Sequence, residues 1–254
     1  MEKLDMLVQA KRRFISVLES QSIGGGESID LKEEVVVSGP LSSKEALGET
    51  ERDDFPLLRG KEVLMQAVYR GAAGQAFTSS SGSFRGSIED VLEMPVYESF
   101  GRAVLIATMN AVLRSLGLIE NTVHCRDEGP GRCASSISEW IREQGSDMVG
   151  LIGMQPALLE ALVGALGRDR VMVSDLAEAG AVRFGLKVMD GMDSSQIFEK
   201  CPLILITGSA LTNGTIDDLI EKAEKGRNRV VFFGSTAAGA AYLMGWERWC
   251  PCST

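Results

Sequence analysis

LILITGSALTNGTIDDLIEKAEK (residues 203–225) reads as a strand, a turn and a helix in succession. Leu203 to Thr207 is a continuous apolar run that stops at Gly208, the pattern of a strand buried on both faces. Asn213-Gly214 is a turn pair, and Thr215 with Asp218 has the spacing of a capping box, so a helix is expected from Thr215 to Lys225. Three further runs of the same kind lie around it. Met148 to Gly153 is followed by a helix from Pro156 to Leu166. Val171 to Asp175 is a second, and Arg229 to Gly234, followed by Ala237 to Met244, is another. Short apolar strands alternating with helices of about ten residues imply right-handed βαβ units and a mainly parallel sheet. Residues 121–254 therefore read as a Rossmann-like α/β domain.

Upstream the rhythm differs. Leu4, Leu7, Phe14, Ile15 and Leu18 recur at helical spacing over Met1 to Glu19, and Lys11-Arg12-Arg13 reads as a solvated flank. Gly24-Gly25-Gly26 follows the helix rather than a strand, so residues 1–27 are expected to be a helix and hinge, with no phosphate loop. Ile29 to Val37 is a β-branched run. Glu62 to Tyr69 and Gly74 to Thr78 flank a turn expected at Gly71-Ala72-Ala73. Ser42 to Thr50 reads as polar turns, and Ser79 to Gly86 as a loop. Ser87 opens a short helix before Pro95, and a long apolar helix ends at Gly117. Strands followed by helices without alternation give a smaller α+β domain over residues 28–120.

Composition limits what such a chain does. It has 254 residues, 44% of them hydrophobic and 24% charged, with a formal net charge of −9. That excludes disordered, collagen-like and small disulfide-scaffold chains. The acidic balance argues against nucleic-acid or anionic-membrane partners. The longest apolar run, Ala103 to Leu113, is too short to span a bilayer, and the first residues carry no secretory pattern. Five cysteines without an export signal point to a reducing cytoplasm, with free thiols or metal ligands. Homo-oligomerisation remains open.

Ligands of open α/β sheets bind outside the carboxyl ends of the strands. Here those ends are Gly153-Met154-Gln155-Pro156, Gly208-Ser209 with Asn213-Gly214-Thr215, and Gly234-Ser235-Thr236, with Asp175 where dinucleotide folds hold a ribose. If the three loops share one cleft, helix N-termini would favour an anion or carboxylate there. The plain alternative is that all are caps and turns. No G-x-G-x-x-G is present, so dinucleotide binding has little support, and no G-x-S-x-G elbow supports a serine hydrolase.

His124, the sole histidine, adjoins Cys125, and Cys133 lies eight residues further on. Imidazole and thiolate select zinc or a similar transition ion over magnesium or calcium. Gly129-Pro130-Gly131 is expected to fold the segment back so that Cys125 and Cys133 face one another. A further ligand would come from Asp127, water or Cys250-Pro251-Cys252. The alternative is small packed side chains, which is the expectation for Cys201.

DFPLLRGKE (Asp54–Glu62), GQAFT (Gly74–Thr78), His124-Cys125, ITGSALTNGT (Ile206–Thr215) and Gly234-Ser235-Thr236 together resemble the family described as putative heavy-metal chelation proteins. The resemblance implies an enolase-N-terminal-like first domain and a Rossmann-like second one. It also implies metal chelation and a link to anaerobic cobalamin metabolism. The leading expectation is a protein binding a transition-metal ion or metal-bearing small molecule in an inter-domain cleft. The alternative is a group transferase using a nucleotide-like cofactor at the strand ends.

Overall fold

The computed structural model describes residues 5–23, 29–50, 52–59 and 62–254; the expected hinge at Gly24–Gly26 lies outside them. Helix α1 (Met6–Ile23) buries Met6, Leu7, Ala10, Phe14 and Leu18, the apolar face read from the sequence. It does not stand apart. The Met6 backbone N–H donates to Asp217 Oδ1 at 2.7 Å, and the Arg13 guanidinium donates to the Leu243 carbonyl at 2.9 Å, docking the helix on the second half of the chain.

The next elements are β1 (Glu34–Ser38), α2 (Ser43–Leu47), β2 (Val63–Tyr69), β3 (Ala72–Thr78), β4 (Phe84–Ser87), α3 (Ile88–Glu93) and α4 (Ser99–Ser115). The four strands form an antiparallel sheet in the order β3-β2-β1-β4. Two segments expected as loops are ordered elements. Ser42 caps α2 by accepting from the Glu45 N–H while Glu45 accepts from the Ser42 N–H, a reciprocal pair that starts a helix inside a polar stretch. Residues 84–87 extend because they pair with β1 along Glu34–Val37. The β2–β3 turn sits one residue earlier than expected, at Arg70-Gly71, where both φ angles are positive (48° and 79°).

Helix α4 lies directly on β3. A Cβ on Gly74 would come within 2.2 Å of the Ala111 backbone nitrogen, so only glycine permits this approach. Buried Asn110 of α4 then spans the molecule. Its amide donates to the carbonyls of Gln75 (2.9 Å), Ser235 (3.2 Å) and Thr236 (3.3 Å), and its carbonyl accepts from the Gly239 N–H at 2.7 Å. Thr236 Oγ1 accepts from the Phe77 N–H at 3.0 Å. These bonds fasten the antiparallel half to the loop after the last strand.

The second half contains α5 (Gly129–Glu143), β5 (Val149–Ile152), α6 (Pro156–Leu166), β6 (Val171–Asp175), β7 (Val182–Arg183), β8 (Leu186–Lys187), β9 (Met189–Asp190), α7 (Ser195–Lys200), β10 (Leu203–Thr207), α8 (Ser209–Asn213), α9 (Ile216–Gly226), β11 (Arg229–Phe233) and α10 (Ala238–Met244). Five strands form a wholly parallel sheet in the order β11-β10-β5-β6-β9, and β7-β8 is a small hairpin beside it. The α/β expectation therefore holds. Leu203 and Leu205 face one core while Ile204 and Ile206 face the other, which is why the run carries no polar residue. The core that takes Leu203 and Leu205 is filled by α5 and α6; the opposite core by α4, α7, α9 and α10.

Three local expectations fail for physical reasons. Gly129-Pro130 opens α5 instead of turning the chain back, because proline suits a first helical turn and Ile137 and Ile141 bury the helix that follows. Asn213-Gly214 closes the short α8, with Gly214 at φ 74°. Thr215 consequently has helical angles (φ −92°, ψ −7°) and makes no side-chain cap, so the Thr215/Asp218 capping box does not form.

Candidate functional site

The order of the parallel sheet reverses between β5 and β10, whose carboxyl ends open the crevice where α/β folds take ligands. Gly153 sits there at φ 88°, and a Cβ on it would lie 2.3 Å from Thr207 Cγ2. A cavity of about 190 Å³ occupies this crevice and extends beneath the antiparallel half, reaching Leu47, Phe55, Glu62 and Phe77.

The three strand-end loops converge on it. Its wall contains Gly153, Met154 and Gln155 after β5, Asp175 after β6, Gly208, Ser209, Asn213 and Thr215 after β10, and Gly234, Ser235 and Thr236 after β11. Two expected residues lie behind the wall. Pro156 is buried in the first turn of α6, and Gly214 abuts the Arg102 guanidinium. His124, Cys125 and Cys133 line the same cavity from the other side.

Some of the N–H groups behind these loops are already engaged by side chains. Gln155 caps its own helix, its side chain accepting from the Leu158 N–H at 2.6 Å. Asp175 is likewise engaged, accepting from the Met154 N–H at 2.8 Å and from the N–H groups of Ala177 and Glu178. The described lining residues include Asp54, Glu62, Asp175 and Glu178 and no Lys or Arg. Two of these carboxylates are already paired, Asp54 with Arg52 at 2.8 Å and Glu178 with Arg183, so Asp175 and the Glu62 carboxyl are left to set the charge of the wall.

Glu62 is the residue that sequence reasoning passed over. It opens β2 with its carboxyl largely desolvated, and burial together with the nearby Asp175 charge pushes its pKa up to about 7. A carboxyl held near neutrality in a cleft is a group through which a site exchanges a proton for a cation. Only its place within the Asp54–Glu62 stretch that carried the resemblance singled it out.

The nitrogen and sulfur donors are packed close together. His124 Nδ1 lies 3.4 Å from the Ala46 carbonyl, which makes Nδ1 the protonated nitrogen and leaves Nε2 with its lone pair. The ring meets Phe77 edge-on at 5.3 Å, and burial lowers its pKa, so it is neutral and suited to ligation. Burial pushes the Cys125 thiol up to about 12, and burial beside other thiols raises Cys133 as well. Both are poor nucleophiles at neutral pH. Asp127 is used elsewhere, accepting from the Glu49 N–H at 2.9 Å. Cys201 is buried, as expected of a packed thiol. The donor set, soft sulfur and neutral imidazole with carboxylates behind, fits a transition ion. Among the described residues no three His, Cys, Asp or Glu side chains stand in ligating positions as they are, so coordination requires the donors to draw together.

No curated protein matches the chain significantly. Among solved structures, the fold resembles that of a DUF364-family protein of unknown function from Pyrococcus horikoshii. The TM-score is 0.54 and the identity 14%, over 92% of this chain and 80% of that one. A DUF364-family protein of unknown function from Desulfitobacterium hafniense aligns over 92% of this chain and 84% of its own, with 12% identity and a TM-score of 0.47. Among the described residues no helix is long and apolar enough to cross a membrane. Residues 136–244, from within α5 to the end of α10, match the family model described as "putative heavy-metal chelation". That match falls within the parallel-sheet half and agrees with the resemblance drawn from the sequence.

Proposed function

We propose that the protein binds a transition-metal cation, or a compact molecule carrying one, in the cleft between residues 28–120 and 121–254, taken as an enolase-N-terminal-like and a Rossmann-like domain. One observation carries the reading: carboxylates, thiols and a neutral imidazole share one cavity wall whose described residues include no Lys or Arg. His124, Cys125 and Cys133 supply the nitrogen and sulfur donors, Glu62 gives up its proton as the cation arrives, and the strand-end loops shape the remainder. The same wall disfavours the nucleotide-like cofactor of a group transferase, because pyrophosphate needs the N–H groups and basic side chains that are engaged or lacking there.

Size narrows the ligand. About 190 Å³ falls below the roughly 300–1,000 Å³ of drug-sized sites. An ion with a few small ligands fits within it, whereas a whole corrinoid does not. A role in anaerobic cobalamin metabolism would therefore be the handling of the metal, in the cytoplasm. Isothermal calorimetry of zinc or cobalt into protein freed of metal by chelator tests the reading. Binding in the micromolar range or tighter, with proton release, is expected; the absence of heat at millimolar metal refutes it.

A further inference from the structure

We propose that Cys125, Cys133, Cys250 and Cys252 form one thiolate site for a soft divalent cation, closed by residues 249–254. This rests on the cleft reading, since Cys125, Cys133 and Cys250 lie on the cavity wall, and it goes further by naming the donors and the segment that brings them.

Four of the five cysteines come together from three separate stretches of chain. Cys125 lies just before α5, packed so closely on Gly129 that a Cβ there would sit 2.8 Å from the Cys125 Cβ. Cys133 follows in the first turns of α5. The other two are delivered by a built strap. Val123 and Thr254 exchange backbone hydrogen bonds of 2.7 and 3.0 Å. The Arg114 guanidinium donates to the Thr254 carbonyl at 3.0 Å, and Arg248 donates to the carbonyls of Asn121 (2.6 Å) and Gly234 (3.0 Å). Ser253 Oγ donates to the Cys250 carbonyl at 2.8 Å, closing a turn around Cys252.

Cys133 lies beside Cys252, and Cys125 and Cys133 each fall within electrostatic reach of Cys250 and Cys252. Cys125, Cys133, Cys250 and Cys252 are each only part-buried, so an ion can reach them. Two guanidiniums stand near the cluster, Arg248 towards Cys250 and Arg132 towards Cys125. Packing alone does not require four sulfurs or two cations beside them, whereas four thiolates on a divalent ion carry a net charge of −2 that the arginines offset. Tetrahedral zinc–sulfur bonds of about 2.3 Å need sulfurs somewhat under 4 Å apart, so the side chains must rotate inward.

Cobalt titration of the reduced protein reads the site directly. The wild type is expected to show sulfur-to-cobalt charge transfer and the intense visible bands of tetrahedral cobalt. The Cys250→Ser/Cys252→Ser variant should lose most of the charge transfer and bind more than about a hundredfold more weakly, since removing ligands exceeds the 10–100-fold cost of outer-shell changes. Alkylation mapped by mass spectrometry on the unaltered chain covers the case of a variant that fails to fold. Zinc should protect all four cysteines together. Cobalt bound with unchanged affinity and charge transfer in the double variant, or Cys250 and Cys252 alkylated equally fast with and without zinc, overturns the four-thiolate site and leaves the cleft reading standing. Metal bound without charge transfer in the wild type overturns it too, placing the ion on carboxylates. Failure of the wild type to bind metal overturns both.

Discussion

Replacing Glu62 with glutamine isolates the electrostatics of the cleft. Burial and the Asp175 charge raise the carboxyl from 4.5 to about 7. The folded protein thus holds a proton there that the unfolded chain releases above about pH 4.5. Below that value both states are protonated and the stability is intact. It falls as pH rises through 4.5 and on to 7, then stays flat, because the folded state carries a buried charge. At about 1.4 kcal/mol per pH unit the loss is about 3 kcal/mol. Glutamine pays the burial of an amide equally at every pH, so the observable is the difference between the two proteins. Relative to wild type, Glu62→Gln should be about 3 kcal/mol more favourable at pH 8 than at pH 5. For a chain of this length that corresponds to about 6–12 °C in Tm. Thermal unfolding followed by circular dichroism, with chelator present, measures it. Equal effects of the substitution at the two pH values would show that Glu62 is solvated and that the cleft does not store a proton. Saturating zinc should flatten the wild-type profile, since a cation beside Glu62 lowers its pKa.

The junction between the halves and the shape of the crevice give two further expectations. Asn110→Ala leaves the Gly239 N–H and three carbonyls without their partner, and should cost about 3 kcal/mol in urea unfolding; a cost below about 1 kcal/mol would mean the halves do not depend on that amide. Gly153→Ala places a Cβ 2.3 Å from Thr207 on a residue at φ 88°, and should cost about 3 kcal/mol. Gly71→Ala, at φ 79° with no atom within 4 Å, separates backbone strain from crowding and should cost only about 1 kcal/mol.

What the sequence disclosed follows from how local each cause is. The parallel strands were readable because each is buried on both faces, which fills every position from Leu203 to Ile206 with an aliphatic residue. Helix α5 was not, because Gly-Pro-Gly has the same local chemistry as a turn, and only the burial of Ile137 and Ile141 selects the helix. The three loop ends could be placed together, since sheet topology alone brings them to one edge. The charge of the cleft could not. Asp54, Glu62, Asp175 and Glu178 are dispersed along the chain, and only the folded chain brings their carboxyls to one wall. The same holds for sulfur. Cys125 and Cys133 suggest two ligands at an irregular spacing, while Cys250 and Cys252 look like a separate pair. They become one set through the Val123–Thr254 pairing, a contact between residues 131 positions apart that no local pattern encodes. If that pairing positions the thiols, disrupting the strap should loosen metal binding without touching a sulfur. Arg114→Ala, which removes the bond to the Thr254 carbonyl, is therefore expected to weaken cobalt binding at least about tenfold while retaining its thiolate spectrum at saturation. Unchanged affinity in that variant would mean that the four sulfurs find the ion without the strap.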